Sequence, residues 1–183
     1  MAQGQPWRNP RPAPSLSEIQ SRLRQPRAWS WLRAWWPAIV WAGVIFTLST
    51  DTFSSEKTAS VLAPILRWFM PTMTGEMFEV IHNVIRKSAH FTEYFVFCLL
   101  LYRGARRGRG GWRWTWGVAA LFCAAGYSIL DEIHQAFVAS RTASAYDSLL
   151  DSAGAFVAFA ALWLWFRLRK ERKNGLPKEL ENA

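Results

Sequence analysis

The chain has 183 residues, of which 51% are hydrophobic, and it carries 12 Trp, 12 Phe and a formal net charge of +9. That length is enough for one domain, but the apolar and aromatic content exceeds what a soluble core of this size usually needs. Composition therefore favours an all-α, polytopic membrane protein over a soluble enzyme. A disulfide framework is excluded, because Cys98 and Cys123 are isolated and each falls inside an apolar run.

Four apolar runs predict four transmembrane helices. A straight crossing needs about 20 residues, a length that the third and fourth runs approach best. The first run is long enough if the tryptophans before it form an interfacial belt, and the second if the charged turns from Val80 onward lie at membrane depth. The runs are Ala34 to Ser49, Phe91 to Tyr102, Trp112 to Leu130 and Ser148 to Phe166.

A shorter segment between the first two runs predicts an additional helix that lies on the outer membrane surface. Its apolar residues recur at helical spacing among polar residues and prolines, which is typical of an amphipathic interfacial helix. These apolar positions are Val61, Leu62, Ile65, Leu66 and Phe69.

The distribution of charge predicts the orientation. Most of the 22 Lys and Arg residues lie before the first run, in the loop from Arg103 to Arg113, or after the fourth run. Because cytoplasmic loops carry the excess of basic residues, we expect a multi-pass protein of the cytoplasmic (inner) membrane with both termini in the cytoplasm. Residues 1–33 then form a basic, partly disordered tail, 34–166 the membrane domain and 167–183 a second basic tail. Attraction to membrane lipids explains these tails better than nucleic-acid binding does.

The strongest candidate for a functional site opens the second run. Lys87, His90 and Tyr94 lie three and four residues apart and share a helix face, and Glu93 lies three residues beyond His90. Ionisable groups at hydrocarbon depth cost roughly 2.5–3.5 kcal/mol each, so their presence indicates a role. An imidazole near a carboxylate and an ammonium suits acid/base chemistry, a proton relay or an anion site. The alternative is a plain helix end with a snorkelling lysine and an interfacial tyrosine.

The end of the third run is acidic. Asp131, Glu132 and Gln135 lie within about one turn, and acids at a helix C-terminus oppose the helix dipole unless a cation lies close or the helix continues. Arg141, in the loop that follows, is one candidate for that cation. Hydrated loop acids are the alternative interpretation.

The start of the fourth run repeats this pattern. Asp147 and Asp151 are one turn apart, with Asp147 a candidate N-cap and Asp151 deeper in the run. Gly154 and Ala158 continue the same face as a pair of small residues that permits close helix packing.

Taken in order, these residues resemble the VanZ-like membrane proteins, a family named for a protein associated with teicoplanin resistance. The resemblance covers Ala34 to Phe166, and many members have Asn where this chain has Asp151. It implies a role in glycopeptide susceptibility or in the cell envelope, without naming a reaction. The motifs are Lys87-x-x-His90-x-x-x-Tyr94, Asp131-Glu132-x-x-Gln135, Arg141 and Asp147-x-x-x-Asp151-x-x-Gly154, with Ser49 a looser match.

These residues leave three kinds of function open. In the first, an outer-facing polar site binds a lipid headgroup, a cell-wall precursor or a glycopeptide. In the second, the acids and His90 form an enzyme site that acts on a lipid phosphate. The few His and Cys residues disfavour zinc in such a site, whereas magnesium held by carboxylates stays open. The third function is a proton-coupled transporter. Four transmembrane helices are few for a transporter, so several subunits would have to associate. No cofactor and no catalytic residue is identified.

Overall fold

The structure of the protein is a computed structural model that describes residues 15, 27–50, 55–137 and 145–174. These residues form helices and connecting turns, with no strand among them, which confirms the all-α prediction. The helices are α1 (Arg27–Leu48), α2 (Ser55–Phe69), α3 (Gly75–Arg106), α4 (Trp114–Ala136) and α5 (Ala145–Asn174).

The four long helices form a bundle with two chemically different ends. α1 and α4 run in one direction, since Ser49 after α1 bonds to Asp131 near the end of α4. α3 and α5 run in the other, since Tyr102 of α3 and Phe166 of α5 lie in ring contact with each other beside the start of α4. We call the end with Ser49, Asp131 and Asp151 the polar end. The opposite end, with Arg33, Arg103, Arg113 and Arg167, is called the basic end.

Glycines allow the closest helix contacts in the bundle. α5 approaches α3 where Gly154 lies directly against the backbone of Phe91, so closely that a Cβ atom would collide with the carbonyl oxygen. At the basic end, the ring of Trp35 from α1 covers Gly104 of α3. α3 therefore occupies the centre of the fold and contacts the other four helices.

Three helices are long and apolar enough to cross a membrane, namely over Trp29–Leu48, Trp114–Ala136 and Tyr146–Arg172. Large apolar side chains such as Phe122 and Phe156 project from them with more than half of their surface exposed. Such a surface suits contact with lipid, where the backbone is satisfied within each helix. The chain is thus an all-α membrane protein, as its composition predicted.

The helices extend beyond the apolar runs that predicted them. α1 already begins at Arg27 and α5 continues to Asn174, so the helices include parts of both predicted tails. The prediction that Asp147 is an N-cap is wrong, because this residue lies inside the first turn of α5. Cys123 is exposed rather than buried in packing, whereas Cys98 is buried. The predicted disorder of the N-terminal tail falls largely on residues outside the described ranges.

Candidate functional site

A cluster of mostly buried polar side chains lies at the polar end, where α1, α3, α4 and α5 meet. Six of its members lie in two hydrogen-bonded groups around Asp131 and Asp151, and three more lie beside these groups. We call this set the polar cluster. Its members are Ser49, His90, Glu93, Tyr94, Ser128, Asp131, Gln135, Ser148 and Asp151.

The first group is centred on Asp131. Its Oδ2 atom accepts hydrogen bonds from Ser49 Oγ at 2.8 Å and from Gln135 Nε2 at 2.9 Å. Both donors are buried, as is Asp131 itself. These bonds explain how an acid is tolerated near the end of α4, because two donors compensate its charge and the helix continues to Ala136.

The second group is centred on Asp151, whose side chain is only 2% exposed. Its Oδ2 atom lies 3.2 Å from Ser128 Oγ, which in turn lies 3.0 Å from Ser148 Oγ. Its Oδ1 atom has no hydrogen-bond partner among the described residues and faces His90 Nδ1 at 4.0 Å. The close approach at Gly154, one turn further on, brings this carboxylate to α3.

His90 and Glu93 form the more open side of the cluster. His90 Nδ1 lies 3.7 Å from Glu93 Oε2, and the two side chains are 20% and 14% exposed. The indole of Trp41 in α1 donates a hydrogen bond to the Glu93 carbonyl at 2.9 Å, which fixes this turn of α3 against α1. A molecule that approaches the cluster from this side meets the imidazole and the carboxylate first.

Tyr94 lies behind this opening and is completely buried. Its hydroxyl has no hydrogen-bond partner within the part of the chain that the structure describes. The same hydroxyl is within electrostatic range of Asp131, Asp151 and Glu93. Buried polar atoms are nearly always paired, so the Tyr94 hydroxyl and Asp151 Oδ1, which both lack a partner among the described residues, mark a place that a polar ligand can occupy.

The charge of the polar cluster favours a ligand that donates hydrogen bonds. Asp151 lies within electrostatic range of three further acids, Glu93, Asp131 and Glu132. His90 is the basic member of the cluster. Acceptor oxygens therefore predominate, and such a site binds hydroxyl or ammonium groups better than it binds phosphate.

The predicted site residues outside the cluster differ in their placement. Lys87 is exposed, one turn before His90, and Glu132 and Asp147 are half-buried at the edge of the site. Gly154 and Ala158 are buried in the packing of α5. Arg141 lies outside the described residues.

Several polar residues escaped the sequence reasoning. Ser128 precedes Asp131 by three residues, and Ser148 precedes Asp151 by three, so each serine lies one turn from an aspartate on the same helix. That repeated Ser-x-x-Asp spacing was the available signal. A further buried residue, His82 of α3, lies 3.1 Å from Thr58 Oγ1 and joins α2 to α3.

Within the described ranges, no three His, Cys, Asp or Glu side chains come close enough together to form a metal site. The distances from His90 Nδ1 to the neighbouring carboxylates, 3.7 and 4.0 Å, instead suit an ion pair or a bridging polar group.

A helical membrane bundle with a buried polar cluster at one end defines the class of this protein. Residues 34–167 match the model of the VanZ/LLP1 family. The chain therefore belongs to the VanZ/LLP1 family, and the resemblance found in its motifs is confirmed. No curated protein and no solved structure matches the chain.

Proposed function

We propose that this VanZ/LLP1 protein binds the polar headgroup of an envelope lipid, or of a lipid-linked cell-wall precursor, in its polar cluster. The observation that carries the proposal is that two buried atoms, Tyr94 Oη and Asp151 Oδ1, have no hydrogen-bond partner among the described residues and lie near the partly exposed His90 and Glu93. A headgroup that enters past His90 would give both atoms a partner. The cost of leaving such atoms unpaired, about 1–3 kcal/mol each, would then be recovered on binding.

The headgroup should carry hydroxyl or primary ammonium groups. Asp151 Oδ1 and the Glu93 carboxylate are acceptors, and each can take a hydrogen bond from such a donor. Sugar-bearing lipids and phosphatidylethanolamine offer these donors, whereas the quaternary ammonium of phosphatidylcholine has none. Binding of this kind would alter the handling of envelope precursors, and through them susceptibility to glycopeptides such as teicoplanin.

The proposed orientation has α3 as a fourth crossing. α1 and α4 both begin at the basic end, so the chain must return from the polar end between them, and α3 makes that return along the other three helices. With the basic end in the cytoplasm by the positive-inside rule, the polar cluster faces outward in the cytoplasmic membrane. α2, with exposed Trp68 and Phe69, then lies at the outer interface.

Single cysteines test this orientation. In a chain without Cys98 and Cys123, Thr72→Cys between α2 and α3 should react with a membrane-impermeant maleimide in intact cells. Gly108→Cys after α3 should react only after the membrane is opened, because it lies at the basic end. The opposite labelling pattern, or labelling of both sites in intact cells, would contradict the proposed topology.

The binding proposal predicts opposite effects of removing two tyrosine hydroxyls. Tyr94→Phe removes an unpaired hydroxyl, so the protein should keep or gain stability while its selectivity for donor headgroups falls by about tenfold, the value of one good hydrogen bond. Tyr127→Phe removes a hydroxyl that donates to the Ala42 carbonyl at 2.8 Å, so it should lose about 1 kcal/mol of stability with selectivity unchanged.

The measurement is native mass spectrometry of protein from nanodiscs with equal parts phosphatidylethanolamine, a glucosyl diacylglycerol and phosphatidylcholine, beside thermal unfolding. Asp151→Asn should reduce selectivity as Tyr94→Phe does. If the wild-type chain retained phosphatidylcholine as strongly as it retains the donor lipids, the binding site would be refuted.

In cells that lack the gene, restoring the wild-type chain should change teicoplanin susceptibility, whereas restoring the Tyr94→Phe chain should not. An identical response to both chains would refute the link to glycopeptides.

A further inference from the structure

The basic end contains a cleft with a concentration of positive charge. It lies between the beginning of α1 and the last turn of α3, with a volume of about 520 Å³. Among the described residues, four arginines line it and no acidic residue does. The charged and polar lining consists of Ser30, Arg33, Arg103, Arg106 and Arg107.

Two of these arginines are held in place by contacts that leave other N–H groups available. Arg103 Nη1 donates to the Ala34 carbonyl at 3.2 Å, across the gap between α1 and α3. Arg106 Nε donates to the Arg109 carbonyl at 2.7 Å, and its guanidinium lies 5.2 Å from the centre of the Phe166 ring. Pre-positioned guanidinium groups lose little freedom on binding an anion and match the geometry of phosphate oxygens.

The surrounding tryptophans indicate how deep in the membrane the cleft lies. Tryptophans concentrate at the boundary between hydrocarbon and headgroups, where their rings lie beside lipid phosphates. Five with more than two fifths of their surface exposed surround the basic end, contributed by α1, α4 and α5. They are Trp29, Trp31, Trp36, Trp114 and Trp165.

We propose that this cleft is a binding site for the phosphate group of an anionic phospholipid. Four arginines line one cleft, and within the described ranges no carboxylate joins them there, so the charge of the site favours an anion. The belt of tryptophans places the cleft at the level of the lipid phosphates rather than in bulk water. The site is separate from the polar cluster, which lies at the other end of the bundle and favours donors instead of phosphate.

Saturable binding of phosphatidylglycerol to the full chain tests the proposal. Fluorescent phosphatidylglycerol is titrated at low mole fraction into phosphatidylcholine nanodiscs that hold the chain with or without Arg33→Gln/Arg103→Gln/Arg107→Gln. Both chains also carry Asp151→Asn, so that the glycerol hydroxyls of the probe find no site in the polar cluster. Each basic residue near an anionic lipid contributes about fivefold to affinity, so the loss of three should weaken binding by about a hundredfold. Binding unchanged by the triple variant would overturn the proposal.

A second triple variant, Arg8→Gln/Arg22→Gln/Arg24→Gln, removes the same number of charges from the N-terminal segment. It should weaken binding by less than about threefold if a defined cleft holds the lipid. An equal loss in both triple variants would show diffuse attraction to the membrane surface and would overturn the site. The third arm adds inorganic phosphate as a competitor of the fluorescent lipid. If phosphate displaced the lipid at an equal concentration, the cleft would be a site for free phosphate instead.

Arg107→Asp covers the case in which the triple variant does not fold. Arg107 ends α3 in the left-handed conformation, with φ of 48°, which aspartate tolerates better than most residues. This change reverses one charge in the cleft and leaves the bond from Arg103 to Ala34 intact. It should also weaken phosphatidylglycerol binding by about tenfold or more with the unfolding temperature nearly unchanged, and unchanged affinity would count against the cleft.

Discussion

Gly154→Ala is expected to destabilise the bundle by at least about 2 kcal/mol, although alanine is the better helix former by about 1 kcal/mol. The added methyl group would meet the backbone carbonyl oxygen of Phe91, and backbone cannot rotate away as a side chain can. α5 would have to move away from α3. Thermal unfolding in detergent, followed by circular dichroism, measures the change.

Gly126→Ala is the matched control for this substitution. Gly126 is also a glycine within a long apolar helix, but no neighbouring atom of the described residues lies within 4 Å of the position that its Cβ would take. Its replacement should leave stability unchanged or raise it by up to about 1 kcal/mol. If both variants unfolded at the same temperature, the close contact of α5 with α3 would be disproved.

The same substitution should impair the polar cluster. Gly154 lies one turn after Asp151, and Phe91 follows His90 directly, so separating these helices increases the distance between imidazole and carboxylate. Selectivity for donor lipids should therefore fall together with stability in Gly154→Ala. Tyr94→Phe differs in this respect, because it should lower selectivity alone.

Asp131→Ala is expected to cost about 2–4 kcal/mol. The substitution removes the acceptor shared by the Ser49 hydroxyl and the Gln135 amide, and it leaves both donors buried. A buried donor without a partner costs about 1–3 kcal/mol. Asp131→Asn keeps an acceptor oxygen at the same position and should cost less than half as much, which chemical denaturation would measure.

A double-mutant cycle with Ser49→Ala shows whether this loss comes from the predicted bond. Asp131 and Ser49 are separated by most of the membrane domain in sequence but lie in direct contact, at 2.8 Å. Residues in contact typically couple by about 0.5–3 kcal/mol. Additive effects of Asp131→Ala and Ser49→Ala would contradict the contact between α1 and α4 at the polar end.

The apolar runs predicted helices well and their ends poorly. Each of the four runs lies within or largely overlaps a long helix. Three of these helices are long and apolar enough to cross a membrane. The ends were misplaced at Arg27 and Asn174, because hydropathy decreases where basic side chains begin even though the backbone stays helical. The run within α3 was the shortest of the four, because charged residues occupy this 32-residue helix on both sides of it.

The sequence predicted several of the residues that the structure brings together in the polar cluster, but it did not predict their contacts. His90, Glu93 and Tyr94 belong to the cluster, whereas Lys87 on the same predicted face is exposed. Helical periodicity gives the face of the helix on which a residue lies. Whether the side chain is buried also depends on whether the neighbouring helices extend far enough along the bundle to cover it. The sequence did not predict Ser128 as a site residue, because a serine within an apolar run carries no charge that would indicate a functional role.

The sequence by itself determined the helical membrane class, the family, and the separation of basic from acidic residues along the chain. These properties follow from composition, hydropathy and motif order, which are local and do not depend on neighbours. Only the tertiary structure decided that Ser49 bonds to Asp131, that Asp151 faces His90, and that the Tyr94 hydroxyl is buried without a partner among the described residues. Such contacts depend on how four helices pack, and that packing is set by small residues such as Gly154 whose effect appears only when the opposing backbone is in place.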